Sequence, residues 1–195
     1  MKAHNWKRLF WALVSINLLV VVAILILVYM PADNKYISSS PDKENDIEFK
    51  VQTNKKDLNR LINKYLAEEG MTGPIHYEVF LTDDVELYGT IPAFGKDMDL
   101  KLTFEPRALK NGDMVLKQKS ISLGQMKIPV SFVMKVINEQ YKMPDWVNIN
   151  PNDEQVYISL QNMKLKSDIR VKAEKFDLQH DDIRFLLYVP TGTNQ

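Results

Sequence analysis

The sequence predicts an α+β fold: one N-terminal transmembrane helix, then a long curved antiparallel sheet with two amphipathic helices packed on one side. Three observations predict it. Leu9–Met30 contains no charged residue, two later segments repeat apolar residues with a helical period, and most of the remaining chain alternates apolar with polar residues.

The formal net charge of the 195 residues is zero, but it is unevenly spread. Residues 1–32 hold Lys2, Lys7 and Arg8 and no acid, so they carry +3 and the rest carries −3. Such asymmetry points to a membrane element. The 22 residues Leu9–Met30 would form a helix about 33 Å long, matching a hydrocarbon core of about 30 Å. Trp6, Trp11 and Tyr29 stand near its ends, as interfacial aromatics do. A cleaved signal peptide has a shorter apolar region and a small-residue cleavage site. This run is longer and ends in Tyr29-Met30-Pro31. The core helix of a domain this small keeps a polar face, whereas apolar residues cover every face of this run. The expected organisation is a basic cytoplasmic head (1–8), a single-pass cell-membrane anchor (9–30), a tether (31–46) and an extracytoplasmic α+β domain (47–195).

The tether holds two prolines and a Ser triplet, a flexible composition. Ile47, Phe49 and Val51 alternate as a strand does. Leu58, Leu61, Ile62, Tyr65 and Leu66 then fall on one helical face, with Thr53 or Asn54 as cap and Gly70 as stop. A meander follows. Ile75 to Leu81 and Val85 to Ile91 alternate around an Asp83-Asp84 turn, and Met98 to Phe104 alternates next. Pro106 to Asp113, containing Asn111-Gly112, reads as a turn before Met114 to Leu123. Val130, Val133, Met134, Ile137 and Tyr141 make a second helix behind Pro129, ended by Met143-Pro144. Val156 to Leu160 is a strand. Gln161 to Phe176 alternates for 16 residues, long for one strand. Ile183 to Val189 closes the domain after a His180-Asp181-Asp182 turn.

Function classes narrow by exclusion. With no Cys, the chain has no disulfide, thiolate metal site, Cys nucleophile or lipoprotein anchor. A domain near −3 is a poor nucleic-acid binder. Nucleotide-cradling loops and hydrolase or zincin motifs do not occur in the sequence. Ser40 to Lys43 fits S-x-x-K, but lies in the tether with no companion motif. His76, Asp97 and Asp99 fall on solvent-facing strand positions. His180-Asp181-Asp182 and Asn150 to Glu154 read as turn and loop chemistry rather than metal sites. Trp146 reads as a plug over the core. No enzymatic activity, cofactor or metal is expected.

The chain also resembles a family. It carries P-D-W-V-x-I (Pro144–Ile149), V-Y-I-x-L (Val156–Leu160), I-x-V-x-A-x-x-F-D-L-x-x-D-x-I-x-F (Ile169–Phe185) and I-P-A-F-G (Ile91–Gly95) behind a basic head, a span and a Ser/Pro tether. This pattern resembles the YpmS family of Firmicutes over nearly the whole chain. The resemblance implies a Gram-positive cell envelope and brings no catalytic residues. The order of elements is also similar to tubular (BPI-like) lipid-binding domains, a likeness of architecture.

The expectation for function is a membrane-tethered, non-enzymatic binding module for a lipid or lipid-linked envelope precursor. The alternatives are an interaction domain for an envelope enzyme or transporter, and a hydrolase without a recognisable motif. An apolar groove between helices and sheet is expected to be lined by Leu58, Ile62, Tyr65, Val133, Met134, Ile137, Ile169, Val171, Phe185 and Leu187.

Overall fold

The computed structural model describes residues 10–22, 46–68, 77–93, 96–124, 129–140, 143–163, 165 and 168–191. The chain divides into two units, Met1–Asp33 and Asn34–Gln195.

In the first unit, residues 10–22 form a helix (α1). The rest of the apolar run, 23–30, lies outside the described residues, as do the tether, His4 and His76. Among the described residues no helix is long and apolar enough to cross a membrane. Asn17 donates its Nδ2 to the Leu13 carbonyl at 3.1 Å, so α1 satisfies its polar side chain within itself.

The second unit is α+β. Its elements are β1 (Asp46–Thr53), α2 (Lys55–Glu68), β2 (Tyr77–Leu81), β3 (Val85–Ala93), β4 (Lys96–Ala108), β5 (Met114–Leu123), α3 (Val130–Gln140), β6 (Val147–Asn150), β7 (Gln155–Ile158), β8 (Arg170–Asp177) and β9 (Asp182–Pro190). A long antiparallel sheet of six strands runs β2-β3-β4-β5-β7-β6. The first strand of this unit and its last two form a separate antiparallel sheet, β1-β9-β8, where the alternation predicts one sheet throughout. One apolar cluster joins Leu58 of α2, Val133 of α3 and Ile183 of β9 to Val79, Leu100, Leu102 and Phe104 of the larger sheet.

The predicted 16-residue strand is broken. Leu160–Asn162 is a 3-10 turn, and Asp168 takes a left-handed φ of 53° before β8 starts. Gln161 causes the break: its amide donates to the Asn111 carbonyl at 2.8 Å, turning the chain toward the β4–β5 connection. A bulge between Ala173 and Lys175 then reverses the parity, so Phe176 faces inward and meets Phe185 edge-on at 6.2 Å. A matching irregularity between β4 and β5 explains why Met114 and Leu123, of opposite parity, are both buried. Pro106, placed in a turn by the sequence, lies inside β4. The β3 pairing ends at Phe104, so Pro106 sits where β4 has become an edge on that side.

Helix α2 starts as predicted. Asn54 Oδ1 accepts from the Asp57 amide at 2.8 Å, a first-turn cap. Asp181, in the β8–β9 turn, accepts from the Lys55 amide at 2.6 Å. Leu61 is 62% exposed, against the expected inward face. Asn59 and Asn63, half-buried on the same helix, turn toward the β2 edge and take the place beside the inward stripe that Leu61 would fill. Those asparagines close the edge of the larger sheet. Asn63 donates to the Val79 carbonyl at 2.7 Å and accepts from the Val79 amide at 3.0 Å, while Asn59 accepts from the Leu81 amide at 2.7 Å. Asn63→Ala leaves both Val79 backbone groups without this partner and should cost about 1–3 kcal/mol. Urea midpoints check this, with exposed Lys64→Ala expected to be near neutral.

Candidate functional site

Strand alternation divides the larger sheet into two faces. Val79, Leu87, Leu100, Leu102 and Leu123 turn toward the helices. Glu78, Tyr88, Thr90, Asp99, Lys101 and Ser122 turn the other way and become neighbours through the register. Tyr88 stands opposite Glu78 and Lys101, Thr90 opposite Asp99, and Lys101 opposite Ser122. These six line an open groove of about 530 Å³, with Gly89, Leu100 and Gly124 completing it.

The groove is amphipathic. The Tyr88 ring meets Phe80 edge-on at 5.5 Å, and both rings are exposed. Tyr88 donates its hydroxyl to Glu86 at 2.8 Å, and Lys101 Nζ lies 3.0 Å from the same carboxylate. The Tyr88 hydroxyl, then Lys101, hold Glu86 below the usual carboxylate range. Hydrogen bonding within this trio, first to Tyr88 and then to Glu86, raises the Lys101 ammonium. Lys101 also lies 4.9 Å from the centre of the Tyr88 ring. The result is a pre-set cation beside an aromatic ring, flanked by hydroxyls and two exposed carboxylates. Such a surface can hydrogen-bond a polar ligand and pack its apolar portion. Sequence reasoning marked Asp99 as solvent-facing but missed the groove, because alternation in a meander shows which residues share a face and not the register that makes them neighbours.

A buried polar cluster lies at the β4–β5 turn. Asp113 is fully buried. It accepts from the Tyr157 hydroxyl at 2.5 Å and Asn111 Nδ2 at 2.9 Å, with Ser159 Oγ at 3.4 Å and the Gln161 amide nitrogens at 3.5 Å. The chemistry is structural: one carboxylate ties the turn to β7 and the 3-10 turn after it. The sequence reading treated Asn111 to Asp113 as turn residues only.

The His180 region is a turn, as expected. Asp177 accepts from the His180 backbone amide at 3.1 Å, and this bond leads the causes that hold its carboxyl below the usual range. Asp182 is likewise lowered, by Lys175 at 2.5 Å and then Arg184 at 2.7 Å. Asn150 organises the next loop, accepting from the Asn152 and Asp153 amides at 3.1 Å.

The predicted groove residues occupy the interior. Leu58 and Val133 are buried in the main cluster, with Ile62, Ile137 and Phe185 packed against it. Met134 is 1% exposed. Val171 belongs to a second cluster with Met114, Leu160 and Ala173, against which Phe185 and Leu187 pack. Tyr65 stands 6.2 Å from Trp146, and Ile169 is half-buried before β8.

The family model for an uncharacterized protein conserved in bacteria (DUF2140) matches residues 4–189. The chain is 34% identical over 187 residues to "Uncharacterized protein YpmS" of Bacillus subtilis (strain 168), covering 96% of this chain and 98% of that relative. No solved structure matches. With a family model spanning most of its length and a full-length relative at that identity, the chain belongs to the DUF2140 family, to which its resemblance to YpmS pointed.

Proposed function

We propose that this chain is a membrane-tethered, extracytoplasmic, non-enzymatic binding module for an envelope lipid or lipid-linked precursor. The ligand's polar headgroup would lie in the groove on the outer face of the larger sheet. The observation that carries this reading is the groove itself, with Lys101, Tyr88 and the hydroxyls of Thr90 and Ser122 converging on one open volume. The tether reading rests on the uncharged Leu9–Met30 run behind three basic residues. The apolar side chains of α1, Leu19 among them at 70% exposure, agree with it.

Native mass spectrometry of the full chain in mild detergent tests the reading. The wild type should carry a lipid-class ligand. Lys101→Ala and Tyr88→Ala should each reduce occupancy about tenfold, the effect of losing about 1.4 kcal/mol of binding. A wild type free of ligand, or variants that retain it fully, would overturn the assignment.

One observation favours a second reading, a protein-interaction domain. β1 exposes Ile47, Phe49 and Val51 along one face, next to an edge with no strand beyond it among the described residues.

A further inference from the structure

We infer that β1 pairs with β1 of a second copy of this chain, antiparallel and centred on Phe49, to form a two-fold dimer with a continuous six-stranded sheet. This rests on the interaction reading of β1 and does not depend on the groove.

The first argument is how the described sheet edges are treated. Edge strands expose unpaired backbone groups and are normally blunted by a covering element, a bulge, a proline or shortness. The β2 edge is covered by Asn59 and Asn63 of α2. β8 is tied back by its Ala173 amide, which donates to the Gly112 carbonyl at 2.7 Å. β6 has only four residues. Among the described residues β1 has no cover, bulge, proline or shortness, and its only such device is the pair of charges Glu48 and Lys50. Its eight residues contain no proline or glycine and pair with β9 in unbroken register. Every residue from Ile47 to Gln52 is exposed, with Ile47 at 50%, Phe49 at 51% and Val51 at 38%.

The second argument is charge complementarity. Read antiparallel against itself about Phe49, β1 sets Glu48 opposite Lys50 of the other copy, twice, and Ile47 opposite Val51, twice. Centring on Glu48 or on Lys50 instead places like charges directly opposite, which is unfavourable. A one-residue slip sets an apolar face against a polar one. The Phe49 register alone among these satisfies both faces. Glu48 already accepts from Tyr188 at 2.8 Å, and Lys50 pairs with Glu174 at 3.0 Å while its side chain stays 68% exposed. Each retains room for the partner across the new pairing. The strip of Ile47, Phe49 and Val51 would be doubled into one surface, as expected of a self-complementary interface.

The absence of cysteine makes the test direct, because an introduced thiol is the only one in the chain. Full-length Phe49→Cys chains in native membranes should form a disulfide-linked dimer under mild oxidation. Directly opposed residues lie about 4.5–5.5 Å apart between Cα atoms, within disulfide reach. Gln52→Cys places the two thiols about 20 Å apart along the strands and should cross-link at least tenfold less. Adding Lys50→Glu to Phe49→Cys should suppress the cross-link, and adding Glu48→Lys to that chain should restore it. Restoration shows pairing rather than mere proximity, and these exposed positions leave the core intact. Equal cross-linking at 49 and 52, or no recovery in the charge-swapped chain, would overturn the inference. A Phe49→Cys chain that links to a different polypeptide overturns self-pairing and leaves β1 an interaction strand. No cross-link of any kind overturns both.

Discussion

Asp113→Ala should lower the stability of the second unit by about 3 kcal/mol or more. The substitution leaves the Tyr157 hydroxyl, the Asn111 amide, Ser159 and Gln161 without the acceptor they share. A buried donor left unsatisfied costs about 1–3 kcal/mol, and these groups act on one carboxylate, so the losses compound. Asp113→Asn keeps the volume but points an amide NH₂ at groups that donate, so it should recover only part of the loss. Urea unfolding of both variants checks the order. If Ala proves no worse than Asn, the cluster contributes through shape and not through its acceptor.

Gly112→Ala should be comparably damaging, by about 3 kcal/mol, for a different reason. Gly112 has φ +88°, where an L side chain is strained by about 1–2 kcal/mol. An added Cβ would also stand 2.6 Å from Lys172 Cβ, the stem of that side chain and not its flexible end. Relief requires moving β8 away, which loosens the Ala173–Gly112 backbone bond between the two sheets. Hydrogen exchange at the Ala173 amide should accelerate more than at Val79, whose amide is held by Asn63 on the far edge of the larger sheet. Uniform acceleration at both amides would mean global destabilisation instead.

Local pattern carried much of this fold. The α+β class, helices α2 and α3, the Asp83-Asp84 turn and the His180 turn follow from periodicity and turn chemistry, and the structure contains all of them. The misreadings occur where a distant group overrides alternation. Gln161 turns toward Asn111, 50 residues earlier, and ends the expected long strand. Asn59 and Asn63 take up edge bonds of β2 and displace Leu61 from the inward face. The bulge beside Glu174 brings Phe176 inward against the parity of Ala173. A polar residue in a helix or strand looks solvent-facing by pattern, and only its partner shows otherwise.

The candidate sites were less legible than the fold. The apolar residues expected to line a groove make up much of the core, because inward alternation is the same signal for a packed interior and for a lined cavity. The groove depends on the register of four consecutive strands, β2 to β5, and the Asp113 cluster joins residues as far apart as Asp113 and Ser159.

By itself, the sequence determined the family, the uncharged N-terminal run and the strand and helix periods, since each is a property of neighbouring residues. Tertiary structure alone decided that β1 joins β8 and β9 in their own sheet, that Asp113 is buried, and that β1 has no further strand beside it among the described residues. Those outcomes depend on which strands pair. The pairing of β1 with β9 joins residues more than a hundred positions apart, such as Phe49 with Leu187, and no local pattern records it.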